Sequence, residues 1–210
     1  MRSADIITLI RTLLVFPIAY AILTRYNPWI TILLIVIMFV MDALDGYAAL
    51  YEASKGKLDF LTYFRGSLGD SKAKDIVNRY KKGYKSSIYG PRIDIAGDRV
   101  TEYVFWIVFV YVNIIPVWVL FLIVLRHSFV DAIMGAKGTS SKTKSAFARI
   151  VYSSPLGRGG IAVVKVVTFS YLVLVYVSGY PIIIGYVLVA ILVGYILLRG
   201  IAELYDNLVA

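Results

Sequence analysis

The sequence predicts an all-α, polytopic membrane protein with six transmembrane helices around a cytoplasm-facing polar cavity. Three observations lead there. First, 60% of the 210 residues are hydrophobic, well above the usual share in globular proteins. Second, the excess falls in long blocks: IITLIRTLLVFPIAYAIL, WITILLIVIMFVMDAL, VFWIVFVYVNIIPVWVLFLIVL, IAVVKVVTFSYLVLVYV and PIIIGYVLVAILVGYILL. About 20 predominantly apolar residues are what a helix needs to cross a bilayer. Third, Lys and Arg gather in two loops, 51–92 and 126–158, while the alternate connections carry almost none apart from Arg25. That alternation puts the basic loops and both termini in the cytoplasm. The formal charge of +9 is therefore assigned to topology and to anionic lipid headgroups or phosphorylated substrates, not to nucleic acid.

The elements follow in order. A short polar lead-in precedes the first span, Ile6–Thr24, which holds Arg11 and no signal-peptide cleavage site. TRYNPW is a turn, with Pro28 placed to open the second span, Pro28–Leu50. Residues 51–89 turn soluble in composition. There Asp70 or Ser71 caps a short helix running to Lys82. Its stripe of Ile76, Tyr80 and Tyr84 opposes Lys72, Lys74, Arg79, Lys81 and Lys82. Such a helix either lies on the membrane surface or packs on the protein itself. Spans three and four, Asp94–Val112 and a segment ending at Ala132, meet in a tight hairpin at Pro116. A second basic loop, 135–159, leads to spans five and six, Ile161–Val177 and Ile182–Leu204. The chain reads as one membrane domain, 1–210, with 51–89 as a basic cytoplasmic insert. There is no cysteine, which excludes disulfides, thiolate metal sites and cysteine nucleophiles.

Four aspartates stand out at junctions of apolar and polar sequence: Asp42 and Asp45 in MDALDG, Asp94 and Asp98 in GPRIDIAGDR. Helical residues three or four apart share a face, so each pair points one way. Ionisable groups at the edge of a span are costly and mark function. The sequence shows no basic partner beside them, so a divalent metal is the expected counter-charge, and Mg²⁺ or Mn²⁺ suits an all-oxygen donor set. The six-span topology puts both pairs on the cytoplasmic side. For any single aspartate the alternative is an interfacial cap, favoured by the helix dipole, or an ion pair with Arg92 or Arg99.

Taken together, Asp42, Asp45, Gly46, Ala49, Gly90, Asp94 and Asp98 resemble the signature of the CDP-alcohol phosphotransferases, D-x2-D-G-x2-A-R followed by G-x3-D-x3-D. The opening IITLIR, Ile6–Arg11, also looks like that family's first helix. The resemblance implies an integral membrane enzyme of six helices, commonly a homodimer. It would move a phosphatidyl group from a CDP-linked lipid to a small alcohol or polyol phosphate and release CMP. It implies a two-metal site of Mg²⁺ or Mn²⁺ on Asp42, Asp45, Asp94 and Asp98, with Asp98 also the base. Gly46, Ala49 and Gly90 would line the CDP groove, with Arg11 touching a phosphate. Two departures stand out. Leu50 occupies the position of the family's arginine, and residues 51–89 lengthen a normally short spacing.

Arg126, Lys137, Lys142, Lys144 and Arg158 flank the second basic loop. By the same resemblance they are candidates for an acceptor phosphate, or else they set topology. His127 reads as interfacial, and Trp29, Trp106, Trp118 and Tyr180 read as an aromatic belt. Two rivals stand beside the enzyme: a non-catalytic relative, suggested by Leu50, and an ion- or proton-coupled transporter. Transporters place their sites at the bilayer midplane with broken helices or repeats, and neither is visible here.

Overall fold

The computed structural model describes residues 3–83, 89–134, 151 and 155–208. Among them there is no strand, and eight helices follow one another: α1 Ser3–Leu23, α2 Pro28–Ala53, α3 Phe60–Leu68, α4 Ser71–Gly83, α5 Gly90–Tyr111, α6 Val117–Met134, α7 Pro155–Ser178 and α8 Ile182–Leu208. Local sequence explains the boundaries. Asn27 caps α2, its side-chain oxygen accepting from the Trp29 and Ile30 amides at 3.0 and 3.3 Å, with Pro28 at the first helical position. Asp70 Oδ1 accepts from the Lys72 and Ala73 amides, so Asp70 is the cap of α4. The α5–α6 turn before Pro116 needs the positive φ of Asn113, 59°.

Among the described residues, four helices are long and apolar enough to cross a membrane: α1, α2, and the stretches Gly160–Ser178 of α7 and Ile182–Asp206 of α8. Of the other two predicted spans, α5 carries Arg92, Asp94, Asp98, Arg99 and Glu102 from its first turn to just past its middle, and α6 carries Arg126, His127 and Asp131 in its second half. Apart from Arg92, those residues line the cavity described below.

The long helices pack α1 on α2 and α5, α2 on α7, α7 on α8, and α6 on α5 and α8. They share one apolar core. At its centre Phe169 stacks on Phe105 with ring centroids 4.7 Å apart and meets Trp106 edge-on at 5.3 Å. Trp106 is therefore core rather than belt, because its indole also reaches Glu102. Trp29, Trp118 and Tyr180 are exposed, as a belt requires. The outer surface is rich in exposed Leu, Ile, Val and Phe, as lipid-facing helices are.

Helices α3 and α4 form a hairpin against α2, and α3 also touches α7. Their small core joins Leu50, Leu58 and Val77 with Tyr47, Tyr63 and Tyr80. Of the stripe expected on α4, Ile76 is exposed and Tyr80 packs inward, while Tyr84 lies outside the described residues. The face that is buried is Ala73, Val77 and Tyr80. Helix α4 thus packs on the protein through this face. Leu50 is 5% exposed. The position at which the resembled signature has an arginine is here an apolar foothold for the insert.

Candidate active site

Helices α1, α2 and α5 bring all four aspartates to one end of the bundle, around Arg11. The guanidinium pairs with Asp42 through Nη1 and reaches Asp98 Oδ1 at 2.8 Å, Asp94 Oδ1 at 3.4 Å and Asp45 Oδ2 at 3.7 Å. The expectation that these carboxylates lack a basic partner is overturned. One turn earlier on α1, Thr8 donates from Oγ1 to Asp45 Oδ2 at 2.9 Å. The Arg11 side chain is 4% exposed, whereas those of Asp42, Asp94 and Asp98 are 39–52% exposed. One buried cation thus supports a half-open ring of acids.

Close helix packing makes this reach possible. A Cβ on Gly97 would lie 2.6 Å from Thr12 Oγ1 and 3.1 Å from Thr8 Cγ2, so only glycine lets α5 lie this close to α1. Gly97 sits between Asp94 and Asp98, and the spacing motif did not single it out. Thr8 was missed as well, since its role depends on the α1–α2 register.

The nearest oxygens of Asp42, Asp45 and Asp94 all lie within 4.8 Å of one another. These are hard donors at a spacing a divalent cation can bridge, so the residues fit the metal that the resemblance implies. Asp98 lies beside this group through its bond to Arg11 rather than within it. Ala49 is half-buried on the same helix, and Gly90 starts α5.

Gly46 meets the insert. A Cβ there would stand 2.7 Å from Tyr63 Oη and 3.8 Å from its Cζ. Burial, with Asp45 and Asp42 next, pushes the Tyr63 hydroxyl above its ordinary pKa, so it keeps its proton at neutral pH. Gly46→Ala is expected to cost about 1–3 kcal/mol through this overlap. Most of that loss should vanish in a Tyr63→Phe background, read as thermal unfolding of the four members of the cycle. An unchanged cost without the hydroxyl would remove the contact as its cause.

A cavity of about 360 Å³ runs from Asp42, Asp94 and Asp98 to a second polar cluster on α5, α6, α7 and α8. There Arg99 grips Asp131 with Nε–Oδ2 2.6 Å and Nη2–Oδ1 2.9 Å. Lys165 Nζ donates to Glu102 Oε2 at 2.6 Å. Arg126 and Arg199 hold the two oxygens of Glu203 at 2.6 and 2.9 Å. Gly200 admits Arg126, whose Nε would be 2.9 Å from a Cβ there. His127 is buried, 3.7 Å from Glu102, and not interfacial as expected, because it faces the bundle.

Of the acceptor candidates, Arg126 lines this cavity. Lys137, Lys142 and Lys144 lie outside the described residues, and Arg158 is in the first turns of α7. Lys165, Arg199 and Glu203 went unselected, although a charge inside an apolar block, as in IAVVKVV, is itself the signal.

Fold and site define a helical membrane protein with a clustered carboxylate centre at one end. Residues 1–50 match the family model described as CDP-alcohol phosphatidyltransferase. The matched stretch holds Arg11, Asp42, Asp45, Gly46 and Ala49 and ends at Leu50, where the insert begins. No curated protein and no solved structure matches the chain.

Proposed function

We propose that the protein transfers a phosphatidyl-type group from a CDP-linked lipid to a small alcohol, with a polyol phosphate such as glycerol phosphate or inositol phosphate as acceptor. The observation that carries this reading is the polarity of the cavity. One end presents Asp42, Asp94 and Asp98 around Arg11, while the other presents Arg99, Arg126, Lys165 and Arg199 against Asp131, Glu102 and Glu203. Acids that gather cations suit a diphosphate at the first end. The excess of one positive charge at the second suits an anionic acceptor. The match over residues 1–50 supports the donor class.

Asp42, Asp45 and Asp94, with Asp98 beside them, would hold Mg²⁺ or Mn²⁺, which neutralises diphosphate charge and stabilises the leaving CMP oxygen. Asp98 accepts the proton of the acceptor hydroxyl. A bond forms between that oxygen and the lipid-side phosphorus, and the bond from this phosphorus to CMP breaks. Arg11 orients Asp98 through its hydrogen bond at 2.8 Å, and Ala49 and Gly90 leave room for the nucleotide, while the space at Gly46 is taken by Tyr63. Such a reaction gains most from positioning and charge neutralisation. The lipid enters sideways from the bilayer, and six helices with this end in the cytoplasm give the acceptor its access.

The test is CMP release. Purified protein is incubated with a CDP-lipid and Mn²⁺ plus, in turn, glycerol phosphate, inositol phosphate, inositol or serine. Release with one of the phosphorylated acceptors is expected. Absence of CMP with all four would sink the reading.

A further inference from the structure

The inserted hairpin also presents an apolar face that its own small core does not use. Phe60, Leu61 and Phe64 on α3 are 46%, 56% and 47% exposed, and the Phe60 and Phe64 rings stack at 6.1 Å. Residues i, i+1 and i+4 of a helix share one side, so this is a single strip. Tyr63 lies off it, turned inward to Gly46 and Tyr47.

The height of the strip on the bundle gives it meaning. Tyr47 meets Phe60 edge-on at 5.3 Å and Tyr63 at 5.6 Å. Its hydroxyl donates to Leu58 O at 3.1 Å. Helix α3 is therefore level with residues 46 and 47 of α2, although α2 continues to Ala53, about 10 Å further at 1.5 Å per residue. That level is where the exposed apolar run of α2, with Leu33, Ile37 and Val40, gives way to Asp42 and Asp45. The strip thus stands at the border of hydrocarbon and headgroups rather than out in solvent.

The charge around it fits the same border. Residues 51–83 hold eight Lys and Arg against four Asp and Glu. Lys57, Arg65, Lys72, Lys74 and Arg79 are exposed. An apolar face flanked by exposed cations binds the membrane interface by burial and by attraction to anionic lipid together.

We propose that the α3–α4 hairpin is a membrane-interface anchor. Phe60, Leu61 and Phe64 sink into the headgroup–acyl boundary, and the surrounding lysines and arginines bind the phosphates of anionic lipids. This role does not depend on the transferase reading. It assigns the membrane contact to α3, with α4 serving as the brace behind it.

The absence of cysteine gives single reporters directly. Leu61→Cys and Ile76→Cys, both at exposed positions, are spin-labelled in the full chain. Each is reconstituted in vesicles of zwitterionic lipid, with and without an anionic fraction. The Leu61 label is expected to collide with oxygen in preference to an aqueous nickel chelate, and more so with anionic lipid. The Ile76 label should show the opposite preference. In a Lys57→Glu, Arg65→Glu background, with two exposed cations next to the α3 strip reversed, the response of the Leu61 label to anionic lipid should be lost. A Leu61 label that favours the aqueous chelate overturns the proposal. So does one shielded from both reagents with spin–spin broadening, which would mean a second copy covers the strip. A response to anionic lipid that survives charge reversal overturns the electrostatic part.

Discussion

Replacing Arg11 with glutamine is expected to lower the thermal stability of the protein in chelator and to make Mn²⁺ a stronger stabiliser than it is for the unaltered chain. Arg11 is the buried counter-ion of Asp42, Asp45, Asp94 and Asp98. Removing one partner of a fully buried ion pair costs about 3–5 kcal/mol, chiefly through the charge left behind. Three of these four carboxylates are 39–52% exposed and screened by solvent, so a loss of about 2–3 kcal/mol is expected instead. A divalent cation between the same carboxylates replaces the missing charge, and binding the folded state alone raises stability by mass action. The comparison is unfolding temperature in detergent, with EDTA and with Mn²⁺, for both proteins. Equal Mn²⁺ shifts would separate Arg11 from the cation site.

Asp98→Asn is expected to reduce CMP release by roughly 10²–10⁴-fold, the usual scale for removing a general base, while nucleotide binding persists. The amide can still accept from Arg11 Nη1, now 2.8 Å from Asp98 Oδ1, so local packing survives. What it cannot do is take a proton. Asp98 stands beside the close group of Asp42, Asp45 and Asp94 rather than within it, and its side chain is 44% exposed towards the cavity. Turnover and CDP binding measured on one preparation separate the two effects. Full activity of Asp98→Asn would assign the base elsewhere.

The sequence showed these acids and their pairing because helical spacing and the edges of apolar blocks are local properties. What gathers around them is not local. Arg11 could be seen as a charge in a span, but its position among all four aspartates follows from the approach of α1 to α5 at Gly97. The same holds for Glu102, which meets Lys165 across two helices, and for His127, which turns into the bundle because Glu102 is there. On α4, the basic residues suggested a membrane face, yet burial is decided by Ala73, Val77 and Tyr80 meeting Leu50 and Leu58. Patterning locates an apolar face; only the partner element says what covers it.

Leu50 brings the two oddities of the chain together. Buried with Leu58 and Val77, it stands where the resembled signature has an arginine and is also the foot of the hairpin. A shortened chain that kept Leu50 would strip it of Leu58 and Val77 and leave a bare leucine. One that restored arginine but kept the hairpin would bury a charge against two aliphatic side chains. Each change made alone is therefore expected to destabilise this corner of the structure, and the two made together to cost less than their sum.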